Sequence, residues 1–401
     1  MKLNRQHELF RESVRMVLDR ECTAQVDGWE RDGVMPVHQL CKALAAEGLL
    51  GLTMPVEDGG LGLDLGYSYV WAQELGRVPA GAPAMALSVQ TDIVAPLLAR
   101  AGTPEVRRDV LRPAIRGELV AALAATEPAG GSDLGALTTT AVRTERGFTV
   151  NGTKAFITNG SVADFAVVLC RTGAAAGIGD LALLVVPTNL AGVRQVRHTG
   201  KLGHRSCDHG TLTFTDVEVP AAYLLGEVGE GYELQTRTFT RERCFLAVVA
   251  LGQAERVLRA TVHHARHRRV LGRALTDHQA IGFRLAELDA ELDLVRGYAG
   301  EAYQLLADGA QCLREASIAK LRATRLLREV ADLGLQVRGA AGYLGAADSP
   351  GTAGSPGGAS HPGADDVERS YRDARAGSFA GGADEALLHL IAGHLTSTEQ
   401  E

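Results

Sequence analysis

Between residues 119 and 225 the apolar residues of this chain largely alternate with polar ones, and on both sides of that stretch they recur at intervals of three and four. Neither a single helical bundle nor a single sandwich accommodates both periods, so a β unit has to sit between two helical ones. In residues 1–118, Leu3, Phe10, Val14 and Val17 share one helical face, and Val37, Leu40 and Leu44 repeat the pattern after Pro36. Tyr67 to Leu75 and Asp92 to Arg100 predict short helices after a glycine-rich break at 55–66. Thr103-Pro104-Glu105 predicts a helix start, with Thr103 as cap and proline in the first turn. From 226 onward the helical period returns. Stretches 232–267, 277–306 and 313–337, with a shorter one at about 384–395, predict a four-helix bundle whose stripe includes Leu285, Leu288, Leu292 and Val295. The expected class is α+β, mostly α: an N-terminal helical domain (1–118), a middle β-barrel or sandwich (119–225) and a C-terminal four-helix bundle (226–401). Within the bundle, 346–366 is rich in Gly, Ser, Pro and Ala and reads as a flexible insertion.

In the middle region, Phe148-Thr149-Val150 followed by Asn151-Gly152 predicts a hairpin turn at that dipeptide. Phe165 to Leu169 and Leu181 to Val186 predict buried strands, and Leu212, Phe214 and Val217 mark another between Thr211 and Val219. Two segments here have the composition of a ligand site. Thr126-Glu127-Pro128-Ala129-Gly130-Gly131-Ser132-Asp133 follows a run of alanines. It combines a fixed proline angle, two permissive glycines and short polar side chains, so a large polar ligand can approach its backbone. Lys154-Ala155-Phe156-Ile157-Thr158-Asn159-Gly160 places an aromatic ring and a hydroxyl at the end of an apolar strand.

Composition excludes several classes. A formal net charge of −7 gives no electrostatic basis for binding nucleic acid or an anionic membrane, and no uninterrupted apolar run reaches membrane-spanning length. The first twenty residues mix charge with helical spacing and do not read as a signal peptide. Cys22, Cys41, Cys170, Cys207, Cys244 and Cys312 are scattered without a C-x-x-C pair, which favours a reducing compartment over a zinc or disulfide framework. The expected location is cytoplasmic. His263, His264 and His267 could be read as a metal cluster, but no carboxylate or cysteine stands beside them in sequence, and an exposed basic helix face fits better.

The order of the three regions and the motifs along them resemble the acyl-CoA dehydrogenase family over almost the whole chain. Residues 126–133 are similar to T-E-P-x-A-G-S-D and 154–160 to K-x-[WF]-I-T-N-G. Residues 201–206 resemble K-x-G-x-R-x-S, and 216–220 resemble D-V-x-V-P. Arg268-Arg269-Val270-Leu271-Gly272 with Gln279 resembles R-x-x-F-G…Q, 336–342 resembles Q-x-x-G-G-x-G, and 367–375 matches V-E-R-x-Y-R-D-A-R. The resemblance implies FAD. Leu123, Ala125, Thr126 and Ser132 would line one side of the flavin, and Phe156, Ile157 and Thr158 would cover its ring. Arg268 and Gln279 would reach the FAD of a neighbouring subunit, which implies a homo-oligomer of the tetramer type. Gln336, Gly339, Ala383 and Glu385 would lie near the diphosphate or adenine. Phe156 stands where tryptophan is commoner, Ala340 replaces a glycine and Ala383 a threonine.

The reaction that the resemblance implies is α,β-dehydrogenation of an acyl thioester, carried by CoA or an acyl carrier protein. An electron-transferring flavoprotein or similar acceptor would take the electrons. The reaction needs a carboxylate base near the α carbon. The family carries that base either as a glutamate just before the Gly-Thr of E-G-T-S or on the first bundle helix, one residue before an arginine. Gly381 occupies the first position here, and Glu242-Arg243 fits the second, with the family's spacing from Arg243 to Arg268. Glu242 is therefore the expected base and the Gly381 N–H an expected donor to the thioester oxygen, with Ser132, Arg243 and Gly382 on the substrate. A bare reading of Arg241-Glu242-Arg243 is a solvated charged helix start. A helix-borne base with glycine at 381 resembles the branched or bulky-acyl members. Two other readings keep the scaffold: a flavin monooxygenase or amine- or nitro-compound oxidase, and a non-catalytic flavin-binding relative.

Overall fold

The computed structural model describes residues 1–173, 177–343 and 366–397. The expected insertion at 346–366 lies outside the described residues apart from Asp366. Six helices precede the sheet: α1 (Arg5–Leu18), α2 (Val26–Asp32), α3 (Val37–Ala46), α4 (Leu65–Arg77), α5 (Gly81–Ala101) and α6 (104–115). Thr103 caps α6 as expected, its hydroxyl accepting from the Val106 N–H at 3.2 Å. Helix α5 is long and apolar enough to match a membrane span by composition, yet 83% of that window is buried inside the fold, as a core helix requires. A wide π turn at Val89–Val94 precedes Pro96, whose missing N–H would leave the Asp92 carbonyl without its donor in an ordinary α turn. That turn aims Gln90 at the sheet. Its amide donates to Ala114 O and Leu119 O, each at 3.0 Å, and accepts from Ala121 N at 2.9 Å.

The middle region forms an eight-stranded sheet from β1 (Ala121–Ala124), β2 (Thr140–Arg143), β3 (Gly147–Thr158), β4 (Phe165–Arg171), β5 (Leu181–Pro187), β6 (Val193–Arg197), β7 (His209–Pro220) and β8 (Leu224–Leu225). The order is β6-β7-β3-β2-β4-β5-β8, with β1 parallel to β4. Strands β4 and β5 are buried on both faces, which explains their continuous apolar runs. Phe165, Val167 and Leu169 face the helical domain, packed in one cluster with Ile93, Leu97 and Leu111. Ala166, Val168 and Cys170 face the sheet's own core with Phe148, Val150, Leu212 and Phe214.

The hairpin expected at Asn151-Gly152 is not there. Strand β3 continues through both residues, and the chain reverses at 144–147, where Thr144 N donates to Gly147 O at 2.9 Å and the Thr144 hydroxyl accepts from Arg146 N and Gly147 N. Asn151 marks a paired irregularity instead. Its amide bonds Asp216 across the ladder (3.1 and 2.8 Å), where β3 and β7 shift register. Gly152 (φ +146°) lies so close to β2's entry that a Cβ would come within 2.5 Å of Thr139 Oγ1. The glycine is needed for that approach rather than for a turn.

The rest of the chain gives α7 (Gly231–His267), α8 (Gln279–Ala307), α9 (Leu313–Arg338), α10 (Val367–Ala374) and α11 (Asp384–Ser397). Helix α10 is an addition to the expected bundle and packs on α9. The 37 residues of α7 span about 55 Å at 1.5 Å per residue. Its start abuts β5, where a Cβ on Gly231 would lie 2.7 Å from Leu181 and Ala182 backbone atoms. Its middle packs on α4, α8 and α9. The fourth turn of α7, which carries Glu242, therefore lies among all three regions.

Candidate active site

Strand β1 delivers the chain to Thr126, and the turn that follows is closed by two backbone bonds between Glu127 and Gly130, at 3.0 and 3.1 Å. The Glu127 side chain points inward. It accepts from Thr138 N and Oγ1 (each 2.7 Å), Thr139 N (2.8 Å) and the Lys154 ammonium (2.9 Å). Burial works to raise the Glu127 carboxyl, but hydrogen bonds from Thr139 and Thr138 and the Lys154 charge bring it down to about 2. Lys154 is fully buried and also donates to Ala125 O at 3.0 Å. Ala155 N donates to Thr126 O at 3.0 Å, so the two sequence segments lie edge to edge. Within them Ala125 and Ile157 are buried, Leu123, Thr126 and Thr158 are half-buried, and Ser132 is exposed.

Phe156 interrupts β3. It has φ +60°, in the left-handed region that a bulky residue avoids, at a register shift between Lys154 and Ile157. Such a conformation costs on the order of 1–3 kcal/mol and persists only where the surroundings enforce it. The result is a ring turned out of the sheet, 63% exposed and 5.8 Å from the His198 ring. It borders a cavity of about 680 Å³ whose walls include Arg194, Arg197, His198 and Lys201. Buried Asn159 fixes the segment's far end by donating to Ala86 O (3.2 Å) and Ala121 O (3.1 Å). An exposed aromatic face, a hydroxyl, a glycine turn and a basic wall suit a planar ligand with an anionic tail.

Arg268 and Gln279 flank a short hairpin between α7 and α8, and Gln336 and Gly339 end α9; all are exposed on this chain. Half-buried Ala383 and exposed Glu385 stand at the start of α11, where Asp384 accepts from Arg325 and Arg328, each at 3.1 Å.

The triplet 241–243 is not a solvated face, because its side chains diverge into three environments. Arg241 reaches the N-terminal domain, donating to Thr53 Oγ1 and to buried Asp92, each at 3.0 Å. Asp92 also accepts from Ser68, which bonds the fully buried Tyr303 hydroxyl at 2.6 Å. Arg243 is buried. Its guanidinium carbon lies 5.8 Å over the Phe239 ring, and it donates to Gly381 O (3.3 Å) and Ser317 Oγ (3.4 Å). Glu242 faces the turn before α11. Its Oε2 is buried with no hydrogen-bond partner, and burial raises the carboxyl to about 7 against the opposing charges of Arg243 and Lys320. Gly381 (φ +65°) and Gly382 (φ +104°) are both left-handed. A Cβ on Gly381 would lie 2.6 Å from Leu246 Cδ1 and 3.7 Å from Glu242 Oε1. A side chain at 381 would displace the Leu246 methyl and hold a left-handed backbone, and a Glu242 carboxylate oxygen lies within van der Waals reach of that place from α7.

Two residues of this site were not singled out from the sequence. Lys320 is fully buried on α9 and binds the 377–382 turn. A charge on a stripe with Ala316, Ala319, Ala323 and Leu327 was the available signal. Gln235 lies about two helical turns before Glu242 on the same face of α7. It is fully buried, with neither amide atom partnered. Nothing in the sequence distinguishes it from the exposed polar residues around it. Among the described residues no three His, Cys, Asp or Glu side chains converge as a metal set.

Comparison with known proteins accounts for nearly the whole chain. The family descriptions "Acyl-CoA dehydrogenase, N-terminal domain", "middle domain" and "C-terminal domain" match residues 4–118, 122–217 and 229–396. An acyl-CoA dehydrogenase of Bacillus subtilis (strain 168) is 30% identical over 396 residues, covering 98% of this chain and 99% of its own. The crystal structure of acyl-CoA dehydrogenase from Geobacillus kaustophilus superposes with a TM-score of 0.90 at 32% identity, covering 98% of each chain. The prolyl acyl carrier protein oxidase AnaB superposes with a TM-score of 0.87 at 26% identity, covering 98% of this chain and 100% of its own.

Proposed function

The chain belongs to the acyl-CoA dehydrogenase family, and on that premise we propose that it desaturates the α,β bond of an acyl thioester with Glu242 as the base that takes the α proton. It is an FAD-dependent oxidoreductase of the kind that acts on the CH–CH group of acyl-CoA. The residues present fit FAD. Phe156, held in a strained conformation, offers an exposed ring face beside the tethered 126–133 turn. Leu123, Ala125, Thr126, Ser132, Phe156, Ile157 and Thr158 would hold it on this chain. Ala383 and Glu385, with Gln336 and Gly339, would lie near its diphosphate and adenine. The exposure of Arg268 and Gln279 supports their use toward a neighbouring subunit's FAD, and with it a tetramer-type homo-oligomer. Bound FAD would accept the hydride leaving the β carbon.

The chain's own residues supply the proton chemistry. The observation that carries the reading is the Glu242 carboxylate: half-buried, with one oxygen inaccessible and unpartnered, and raised to about 7. A base with that value is partly ionised at neutral pH and still holds a proton well, the balance that general-base catalysis favours. The Gly381 N–H would donate to the thioester oxygen as negative charge develops on it. Arg243 holds the Gly381 carbonyl and so fixes the peptide on the other side of that donor. Ser132, Arg243 and Gly382 would contact the thioester carrier, CoA or an acyl carrier protein. The unpartnered Gln235 amide supports an acyl or pantetheine segment with a polar group at its position.

Because the base works ionised, kcat/KM should fall about tenfold per pH unit below about 7 and level off above it. A profile flat from pH 5.5 to 8 would contradict a base of this kind. Substrate class is read by anaerobic titration of the flavoprotein with straight, branched and aryl acyl-CoA and carrier-bound thioesters, following flavin absorbance. Rapid bleaching by one thioester class supports dehydrogenation, with an electron-transferring flavoprotein or similar acceptor completing turnover. The likeness to a carrier-protein oxidase favours a second reading, in which oxygen is the acceptor. Stoichiometric oxygen consumption with the bleaching thioester would establish it, and oxygen consumption with an amine or nitroalkane alone would overturn thioester chemistry.

A further inference from the structure

Lys320 is an ammonium with no exposed surface, placed on the α9 stripe otherwise made of Ala316, Ala319, Ala323 and Leu327. A buried cation persists where carbonyls or counter-charges replace its water. Lys320 has both. Its Nζ donates to Gly377 O and to Gly382 O, each at 2.7 Å, so one side chain spans the two ends of the turn that contains Gly381. Gly377 is seated on the same helix, where a Cβ would lie 2.9 Å from Thr324 Cβ. The side chain also approaches the surroundings of Glu242, without an ion pair within 4 Å. The Cβ position of Gly381 is 3.7 Å from Lys320 Cε and 3.7 Å from Glu242 Oε1, so base, turn and lysine meet at one point.

We propose that Lys320 is a positioning residue for proton abstraction: its ammonium clamps the 377–382 turn by two carbonyls, aligning the Gly381 N–H with Glu242, and its charge adds to that of Arg243 in favouring the ionised Glu242 carboxylate. The proposal rests on Glu242 being the base. The charged groups around the pair are few. Arg243, on Glu242's own helix, and Lys320 both oppose the effect of burial on the carboxyl. Lys320 is lowered to about 8, first by burial, with Asp384 and Glu242 working to raise it and Arg243 and Arg328 to lower it. Asp384, the larger of the two carboxylate influences on Lys320, is itself held by Arg325 and Arg328.

Three substitutions separate the clamp from the charge. Lys320→Gln keeps a donor for one carbonyl and loses the charge, Lys320→Arg keeps both, and Lys320→Met loses both. The Glu242 carboxyl is read directly as the infrared band, titrated with pH, that Glu242→Gln removes. With one cation withdrawn at several ångströms, Lys320→Gln should move that band's midpoint up by about one pH unit. The acid limb of kcat/KM should move by the same amount, while Lys320→Arg leaves both near the parent values. Lys320→Met should add a loss in kcat of about tenfold or more between about pH 7 and 8, where Glu242 is largely ionised and Lys320 still largely charged, from the released turn. A band midpoint unmoved in Lys320→Gln overturns the electrostatic half, and kcat of Lys320→Met equal to parent in that window overturns the clamp. Should Lys320→Met fail to fold, Lys320→Gln against Lys320→Arg still decides the charge, and their kcat in that window decides the clamp. Failure of the base reading shows separately, as turnover retained by Glu242→Gln.

Discussion

Glu242→Gln should lower kcat by about three orders of magnitude, since a positioned general base typically contributes 10²–10⁴-fold. FAD content and thioester binding should stay near parental. The substitution is isosteric and neutral. It removes a half-buried carboxylate with one unpartnered oxygen, and the two nearby cations, Arg243 and Lys320, keep their own carbonyl and hydroxyl acceptors. The N-terminal domain contact on this helix belongs to Arg241, and the contacts to the 381 carbonyl and Ser317 belong to Arg243, so the fold around position 242 is held by its neighbours. Stability should hold or rise slightly, because the desolvation that raises the carboxyl to about 7 is a cost to its ionised form. Anaerobic stopped-flow bleaching with the best thioester, alongside extracted FAD per chain, checks both halves. Turnover within tenfold of parent would remove Glu242 from the mechanism. A large loss accompanied by lost FAD would mean that position 242 supports the cofactor site rather than the chemistry.

The sequence shows the broad architecture because its signals are periodic and local. Long stripes such as Leu285 to Val295 return as α8, and Thr103-Pro104 caps its helix as expected. The Asn151-Gly152 dipeptide misleads for a physical reason. The same two residues that suit a tight turn also suit a register shift in a continuing strand, and the pairing of β3 with β7 through Asp216 decides between them. That pairing joins residues sixty-five apart, which no local reading sees. The site divides in the same way. Phe156 and the 126–133 turn are legible as motifs, but the strain at Phe156 and the burial of Lys154 follow from tertiary contacts. Glu242 stands between two arginines in the sequence, and only the divergence of the three side chains separates a candidate base from a charged surface. Lys320 and Gln235 are hidden because a single polar residue within a long helix carries no period of its own.

Lys154→Met should destabilise the protein by about 3–5 kcal/mol, the range for stranding one partner of a buried ion pair. At about 1.2 °C per kcal/mol, from roughly 2.1 cal/mol/K per residue over 401 residues, that is a fall in Tm of about 4–6 °C. The carboxylate left behind is nearly inaccessible, 3% exposed, and although Thr138 and Thr139 still donate to it, no cation remains beside it. Its titration turns the loss into a pH dependence. Glu127 is depressed from 4.5 to about 2 in the fold, so what the carboxylate contributes is present above about 4.5 and fades as pH falls toward 2. The parent should therefore lose this contribution in acid, and Lys154→Met should show a shallower dependence there, because part of the depression is Lys154's own. FAD retention should fall with stability, since Lys154 also ties Ala125 O, next to the Thr126 peptide that Ala155 holds. Adding Glu127→Gln to Lys154→Met should recover part of the loss. The neutral amide keeps an acceptor for Thr138 or Thr139 and no longer buries an unpaired charge. Scanning calorimetry of the four proteins in this cycle, with extracted flavin measured on each, tests the account. A Tm for Lys154→Met within two degrees of parent, or a double substitution worse than the sum of its singles, would show that the pair does not hold the cradle.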